Sequence, residues 1–335
     1  MLKIFDEKIN GFLFVIIFPF LLFFMAYYGF ESSYVVGIKS MEKAPDFMFT
    51  SVYAYRVIPN YLSVHVTEAV THIVNSYFPF TKSFLLKQGT LFYHSTFLIN
   101  CTFFLGTSVV LNSILKLNPV ELFVNKTIRS LLHLLAVFFV VIMQYVPTNC
   151  DSIALFFYIL GVYFTLKYLQ SKKSTDIIYL SIVIFISTFV RETACLNIAF
   201  FAAVFINFDE LKKRNFAFIK EVALLIIAFI LPYIGLRLAI NQKSSFFEGV
   251  YLIKNFTSPY NLAGLLFGVL SIFFSYKLCN NEGRVMIKKY LFFSLPYLLM
   301  ISLVGLFWET RLFMPLILTG IVIASYQFKN IPARL

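Results

Sequence analysis

Charge is scarce in this chain. Only 13% of its 335 residues are Asp, Glu, Lys or Arg, against roughly 25% in a soluble domain, so it has too few ions to cover a water-facing surface. Glycine is scarce too. Thirteen glycines, with no glycine-rich phosphate loop among them, exclude a nucleotide site of the kind that cradles phosphates on backbone amides. No GxSxG, HExxH or CxxC segment occurs, which removes the nucleophile-elbow hydrolases, the zinc proteases and the thiol redox proteins. The four cysteines, Cys101, Cys150, Cys195 and Cys279, have no metal-ligand spacing. Cys150 and Cys195 both fall near one predicted membrane face, so the sequence leaves a single disulfide between them open.

What fills the chain is apolar. Hydrophobic residues make up 60%, with 43 phenylalanines and 20 tyrosines, and mean hydropathy is +0.83. Ten apolar runs stand at 12–29, 91–115, 131–146, 152–169, 177–190, 194–208, 222–240, 259–276, 290–307 and 312–328. A helix needs about 20 such residues to cross a bilayer. The expected fold is therefore all-α: a single polytopic membrane domain over 1–335, with about ten spans and one long outer loop over 30–90. The first run follows Lys3 and Lys8 and resembles a signal peptide, but Tyr27, Tyr28, Phe30 and Glu31 stand where small cleavage-site residues belong. It reads as an uncleaved span. Neither repeats nor low-complexity tracts divide the chain, and the richness in Phe, Ile, Lys and Asn points to a bacterial source.

The net charge of +12 would suggest nucleic acid in a soluble protein. Here it sorts by membrane side instead, and no nucleic-acid partner is expected. Three long apolar stretches carry polar tips: Pro147-Thr148-Asn149-Cys150-Asp151, Arg191-Glu192-Thr193 and Glu309-Thr310-Arg311. Basic residues flank both ends of each stretch. Each is thus expected to be a hairpin with its tip outward, because cytoplasmic loops collect Lys and Arg. On that topology 18 of the Lys and Arg lie inside and 10 outside, five of the ten in the long loop. Both termini are then cytoplasmic, in the inner membrane of a cell envelope, and the immediate partner is membrane lipid.

The long loop is patterned after Pro59. Leu62, Val66, Ala69, Val70, Ile73 and Tyr77 recur at helical spacing, with Ser63, His65, Glu68, His72, Asn75 and Ser76 between them. This predicts an amphipathic helix on the outer surface. His65, Glu68 and His72 share its polar face and are the one candidate divalent-metal set, needing a fourth ligand from elsewhere.

The tips carry charges at an awkward depth. Fourteen residues over 177–190 rise about 21 Å against a hydrocarbon core of about 30 Å, so Arg191 and Glu192 fall below the outer headgroups. Intramembrane charge usually faces a cavity, a partner or a pathway. Asp151, Glu192 and Glu309 at helix starts complement the helix dipole. Arg191 and Arg311 sit at the wrong end for a cation and require an internal carboxylate or a bound anion. Arg237 reads as a snorkelling side chain. Arg56, in Tyr55-Arg56-Val57-Ile58-Pro59, faces the same compartment, so Arg56, Arg191 and Arg311 are expected to converge. Guanidinium groups bind phosphate bidentately.

A first span, a long outer loop with a surface helix, Asp46 within that loop in Ala44-Pro45-Asp46, Tyr55-Arg56-x-x-Pro59 and Glu309-x-Arg311 together resemble the GT-C class of integral membrane glycosyltransferases. The resemblance covers the architecture of the whole chain and little of its sequence. It implies a polyprenyl-phosphate sugar donor and Asp46 as the base that takes the acceptor's proton. It also implies Arg56, Arg191 and Arg311 on the leaving phosphate, with Glu192 or Glu309 orienting them or binding sugar hydroxyls. A transporter or flippase of lipid-linked saccharide, a polysaccharide polymerase and a non-catalytic assembly subunit stay open beside it.

Overall fold

The computed structural model describes residues 11–30, 33–118, 126–144, 150–213, 218–240 and 250–326. Among them there is no strand, as the apolar periodicity requires. Lys3, Lys8, Arg214, Lys243, Lys329 and Arg334 of the charge map, Glu31, and positions 147–149 of the first tip lie outside the described residues.

A π-helical turn, Leu13–Ile17, leads into α1 (Phe18–Gly29) at Pro19. The loop then builds α2 (Ser33–Lys39), two 3₁₀ turns (Asp46–Phe49 and Ser51–Tyr55), α3 (Val57–Tyr77) and α4 (Lys82–Gln88). The remaining helices are α5 (Leu91–Leu117), α6 (Lys126–Gln144), α7 (Asp151–Ser171), α8 (Ser174–Thr188), α9 (Cys195–Phe205), α10 (Phe208–Lys212), α11 (Ile219–Ala239), α12 (Leu252–Thr257), α13 (Pro259–Leu278), α14 (Asn281–Phe293), α15 (Leu295–Val304) and α16 (Met314–Ser325). Five of them, α5, α6, α7, α11 and α13, are long and apolar enough to cross a membrane, and the α14–α15 pair would make a sixth. That pair bends by 52° at Ser294-Leu295-Pro296, where the proline lacks the amide that would continue the helix. Each of the other four apolar runs is helical but no longer than 17 residues.

The core forms around α7, the most enclosed of the long helices, which packs on α5, α8, α9 and α16. The short α9 is buried on every side, which is why its sequence is apolar all round. It fits because Gly161 of α7 leaves room for the Asn197 side chain; a Cβ at Gly161 would stand 2.4 Å from that amide. Tyr158, Tyr290 and Thr319 join α7, α14 and α16 by hydroxyl hydrogen bonds in the centre. The α7–α8 hairpin turns at Lys172, whose left-handed backbone (φ 53°) closes the helix while its ammonium packs 4.4 Å from the Phe205 ring centroid.

The bundle has two distinct ends. At one, Gln170 donates to Leu117 O and the Tyr326 hydroxyl, Asn118 to Ser325 O, and Lys289 to Ile206 O. Lys116, Lys167, Lys172 and Lys173 are neighbours of these ties in sequence. The other end gathers the start of α7, the α8–α9 turn, the end of α11 and the start of α16.

The α3 helix forms where the sequence places it. It lies on α5, buries Pro59, Asn60, Ser63 and Val74 and packs Leu62 and Val66 of the expected apolar face against the core, while Ile73 and Tyr77 of that face are exposed. Asn60 goes inward because its amide donates to Met48 O (2.6 Å) and Tyr53 O (3.0 Å). Small polar residues at a helix contact also allow close approach. All four cysteines are free, so Cys150 and Cys195 form no disulfide.

Candidate functional site

Three polar tips and one loop residue meet at the second end of the bundle. Asp151, the first residue of α7, is the hub. Its Oδ1 accepts from Arg191 Nη1 at 2.9 Å and its Oδ2 from Arg311 Nη1 at 2.7 Å. Arg311 also turns Nη2 (3.0 Å) and Nε (3.3 Å) to Glu309 Oε2. The Asp151 side chain is 4% exposed and both arginines 16%. Ions this dry are held by pairing rather than by water, and the carboxylate gains further from the α7 N-terminus.

Arg56 enters from the loop. Its Nη1 donates to Cys150 Sγ at 3.3 Å, and its Nε is buried without a hydrogen-bond partner. A thiol is a weak acceptor, so this guanidinium is poorly served. Its plane rests 4.5 Å from the Tyr53 ring centroid. Arg237 completes the set: it lies over Tyr233 (3.5 Å) and Tyr55 (4.7 Å) and reaches Glu192 Oε1 at 3.8 Å. Arg237 thus pairs with another tip, where the sequence suggested snorkelling. Among the described residues, Arg191, Arg311, Asp151 and Glu309 form one linked set of two cations and two carboxylates, with the Arg237–Glu192 pair and Arg56 on Cys150 beside it.

Local structure holds each cation. The chain breaks helix at Phe189, and Arg191 N returns to Ser187 O (2.9 Å), which turns the Arg191 side chain toward α7. Ile58 N donates to Phe189 O (3.2 Å), tying the start of α3 to that turn. The Arg311 loop is stapled three times. Asn255 accepts from Phe307 N (3.1 Å) and donates to Ser302 O and Gly305 O; Asn261 accepts from Trp308 N (3.0 Å); Tyr297 donates to Leu312 O (2.8 Å).

A narrow recess of about 20 Å³ adjoins the hub, lined by Gln144, Asp151, Thr193, Arg191, Arg311 and Met314 among others. Thr193 is 4% exposed, and its Oγ1 has no hydrogen-bond partner. On the other side of the Arg311 loop lies a wider, mostly apolar groove of about 960 Å³ including its open mouth. Tyr260, Gly264, Phe267, Trp308, Thr310 and Lys254 line it.

Arg191 and Arg311 thus meet on Asp151 with Glu309 beside them, and Arg56 reaches the adjoining Cys150. The two arginines that sequence reasoning left with either an internal carboxylate or a bound anion have an internal one, Asp151. It had been explained as a helix-start acid and not as their partner. The signal lay in the three polar tips, which share one end of the bundle and bring Asp151 to Arg191 and Arg311. Asp46 is exposed at the start of the earlier 3₁₀ turn, Asp46–Phe49, which Asn60 anchors through Met48 O. His65, Glu68 and His72 do not assemble a metal site. His65 Nδ1 contacts Glu68 (2.9 Å), His72 Nδ1 turns to Ser76 (3.4 Å), and no three potential ligands gather anywhere among the described residues. Neither family models, nor curated proteins, nor solved structures match this chain.

Proposed function

We propose that the protein is a membrane glycosyltransferase of the GT-C kind, moving a sugar from a polyprenyl-phosphate donor to an acceptor at the extracytoplasmic face. One observation carries the reading: Arg56, Arg191, Arg237 and Arg311 gather at a single end of the bundle, two of them on one nearly buried carboxylate. Such a cluster is matched to a phosphate leaving group. The neighbouring apolar groove beneath Trp308 suits a lipid chain whose head reaches the arginines. Charges collected at one end favour a one-sided site over a transit path, which would place them near mid-depth in both halves.

In this reading the chain crosses ten times, with its short helices in a locally thinned or tilted setting and its lysine-rich end in the cytoplasm. The acceptor hydroxyl attacks the anomeric carbon and the bond from that carbon to the phosphate oxygen breaks. The phosphate oxygen keeps the electron pair, and Asp46 takes the hydroxyl proton. Arg56, Arg191 and Arg311 stabilise the departing phosphate. Glu309 orients Arg311, and Glu192 orients Arg237.

Native mass spectrometry of the protein, extracted gently from its own membrane, tests the reading. It is expected to retain a polyprenyl phosphate or its glycoside, and Arg191→Gln is expected to lose it. Equal retention of ordinary phospholipid by both forms, with no polyprenyl species, would count against the proposal.

A further inference from the structure

We propose that Asp151 is a built-in counter-anion that occupies the phosphate position between Arg191 and Arg311 and is displaced when a phosphate group enters. The inference rests on the reading of this cluster as a phosphate site and adds how the site is kept and opened.

Three features point this way. Asp151 uses its two oxygens on two different arginines, 2.9 and 2.7 Å away, so it spans the gap between them as two phosphate oxygens would. Arg56 stands beside the hub on Cys150, with its Nε buried and without a hydrogen-bond partner, so a further cation is near for an entering anion. Beside the carboxylate lies the recess, lined also by Thr193, whose buried Oγ1 has no hydrogen-bond partner. An unsatisfied buried hydroxyl is uncommon and costly, and here it supplies a donor for a third oxygen.

Without a ligand, two semi-buried arginines at one position would repel each other and draw in water. Asp151 keeps them apart from solvent and aimed at one point. The consequence is competition: every phosphate that binds must first replace an intramolecular carboxylate, so the wild-type protein binds more weakly than its arginines alone would allow. Removal of the carboxylate then tightens binding, whereas a merely structural ion pair would loosen it when broken.

The test uses the full chain in detergent, titrated with farnesyl phosphate and separately with inorganic phosphate, by calorimetry and by thermal unfolding. Asp151→Asn is expected to bind farnesyl phosphate at least about tenfold more tightly than wild type, and Asp151→Glu to stay near wild type. Asp151→Asn is also expected to unfold earlier in chloride buffer and to regain stability when phosphate is added, while wild type shifts little. A folded Asp151→Asn that binds no more tightly overturns the proposal, as does one that neither anion restores. Rescue by inorganic phosphate as effective as by farnesyl phosphate supports displacement and assigns the position to free phosphate. If farnesyl phosphate binds wild type and Arg191→Gln alike, the phosphate-site reading itself fails. Arginine-dependent binding without a gain in Asp151→Asn overturns the displacement alone.

Discussion

Replacing Arg311 with Gln removes the side chain that serves two carboxylates at once. Nη1 is committed to Asp151, while Nη2 and Nε are committed to Glu309. Breaking a fully buried ion pair costs about 3–5 kcal/mol because it strands the partner's charge. Asp151 keeps Arg191 after the change, and Glu309 is 19% exposed, so water recovers part of the loss. The expected cost therefore lies at the lower edge, about 3 kcal/mol. Lysine in the same place keeps the charge but offers one nitrogen where the guanidinium offers a planar fork. It can serve Asp151 or Glu309 but not both, and Arg311→Lys should lose about 1–2 kcal/mol, in line with one charge-assisted hydrogen bond. Equilibrium unfolding in mixed micelles measures both. The double change Arg311→Gln with Glu309→Gln should cost less than the sum of the single changes, by 0.5 kcal/mol or more. The reasoning is refuted if Arg311→Gln and Arg311→Lys both lie within about 0.5 kcal/mol of wild type, the range of an uninvolved surface change.

Other positions give independent outcomes. Gly161→Ala places a Cβ 2.4 Å from the Asn197 amide and should destabilise by about 1–3 kcal/mol; adding Asn197→Ala should recover most of it, read from the same unfolding curves. Asn255 is fully buried and staples the 302–307 backbone through three hydrogen bonds. Asn255→Ala should therefore free that loop and raise hydrogen exchange there before elsewhere. Labelling of Glu68→Cys and Lys213→Cys in a cysteine-free background checks sidedness: an impermeant maleimide applied to intact cells should modify the first, and the second only after permeabilisation.

The helices were legible in the sequence because a membrane helix declares itself locally, by an apolar run and basic flanks. The tips were legible for the same reason, and their meeting at one end brings Asp151, Arg191 and Arg311 together. The pairing within the cluster was not legible. Asp151, Glu192 and Glu309 each have a local explanation as helix-start acids, and only tertiary packing decides that Asp151 takes Arg191 and Arg311 while Glu192 takes Arg237. On α3 the apolar periodicity marks Leu62 and Val66, which pack against the core, and passes over Asn60. Asn60 is drawn inward by two backbone acceptors that periodicity does not register. The 52° break at Ser294-Leu295-Pro296 left a clear mark in the proline, but a proline alone does not tell a kinked span from two helices.

Sugar transfer from a panel of labelled polyprenyl-phosphate sugars, assayed in membranes that contain or lack the protein, tests the central claim most directly. The account predicts transfer from at least one donor by wild type, and its loss in both Asp46→Ala and Arg191→Gln while each variant still folds. Transfer from no donor, or transfer undiminished in folded Arg191→Gln, would contradict it.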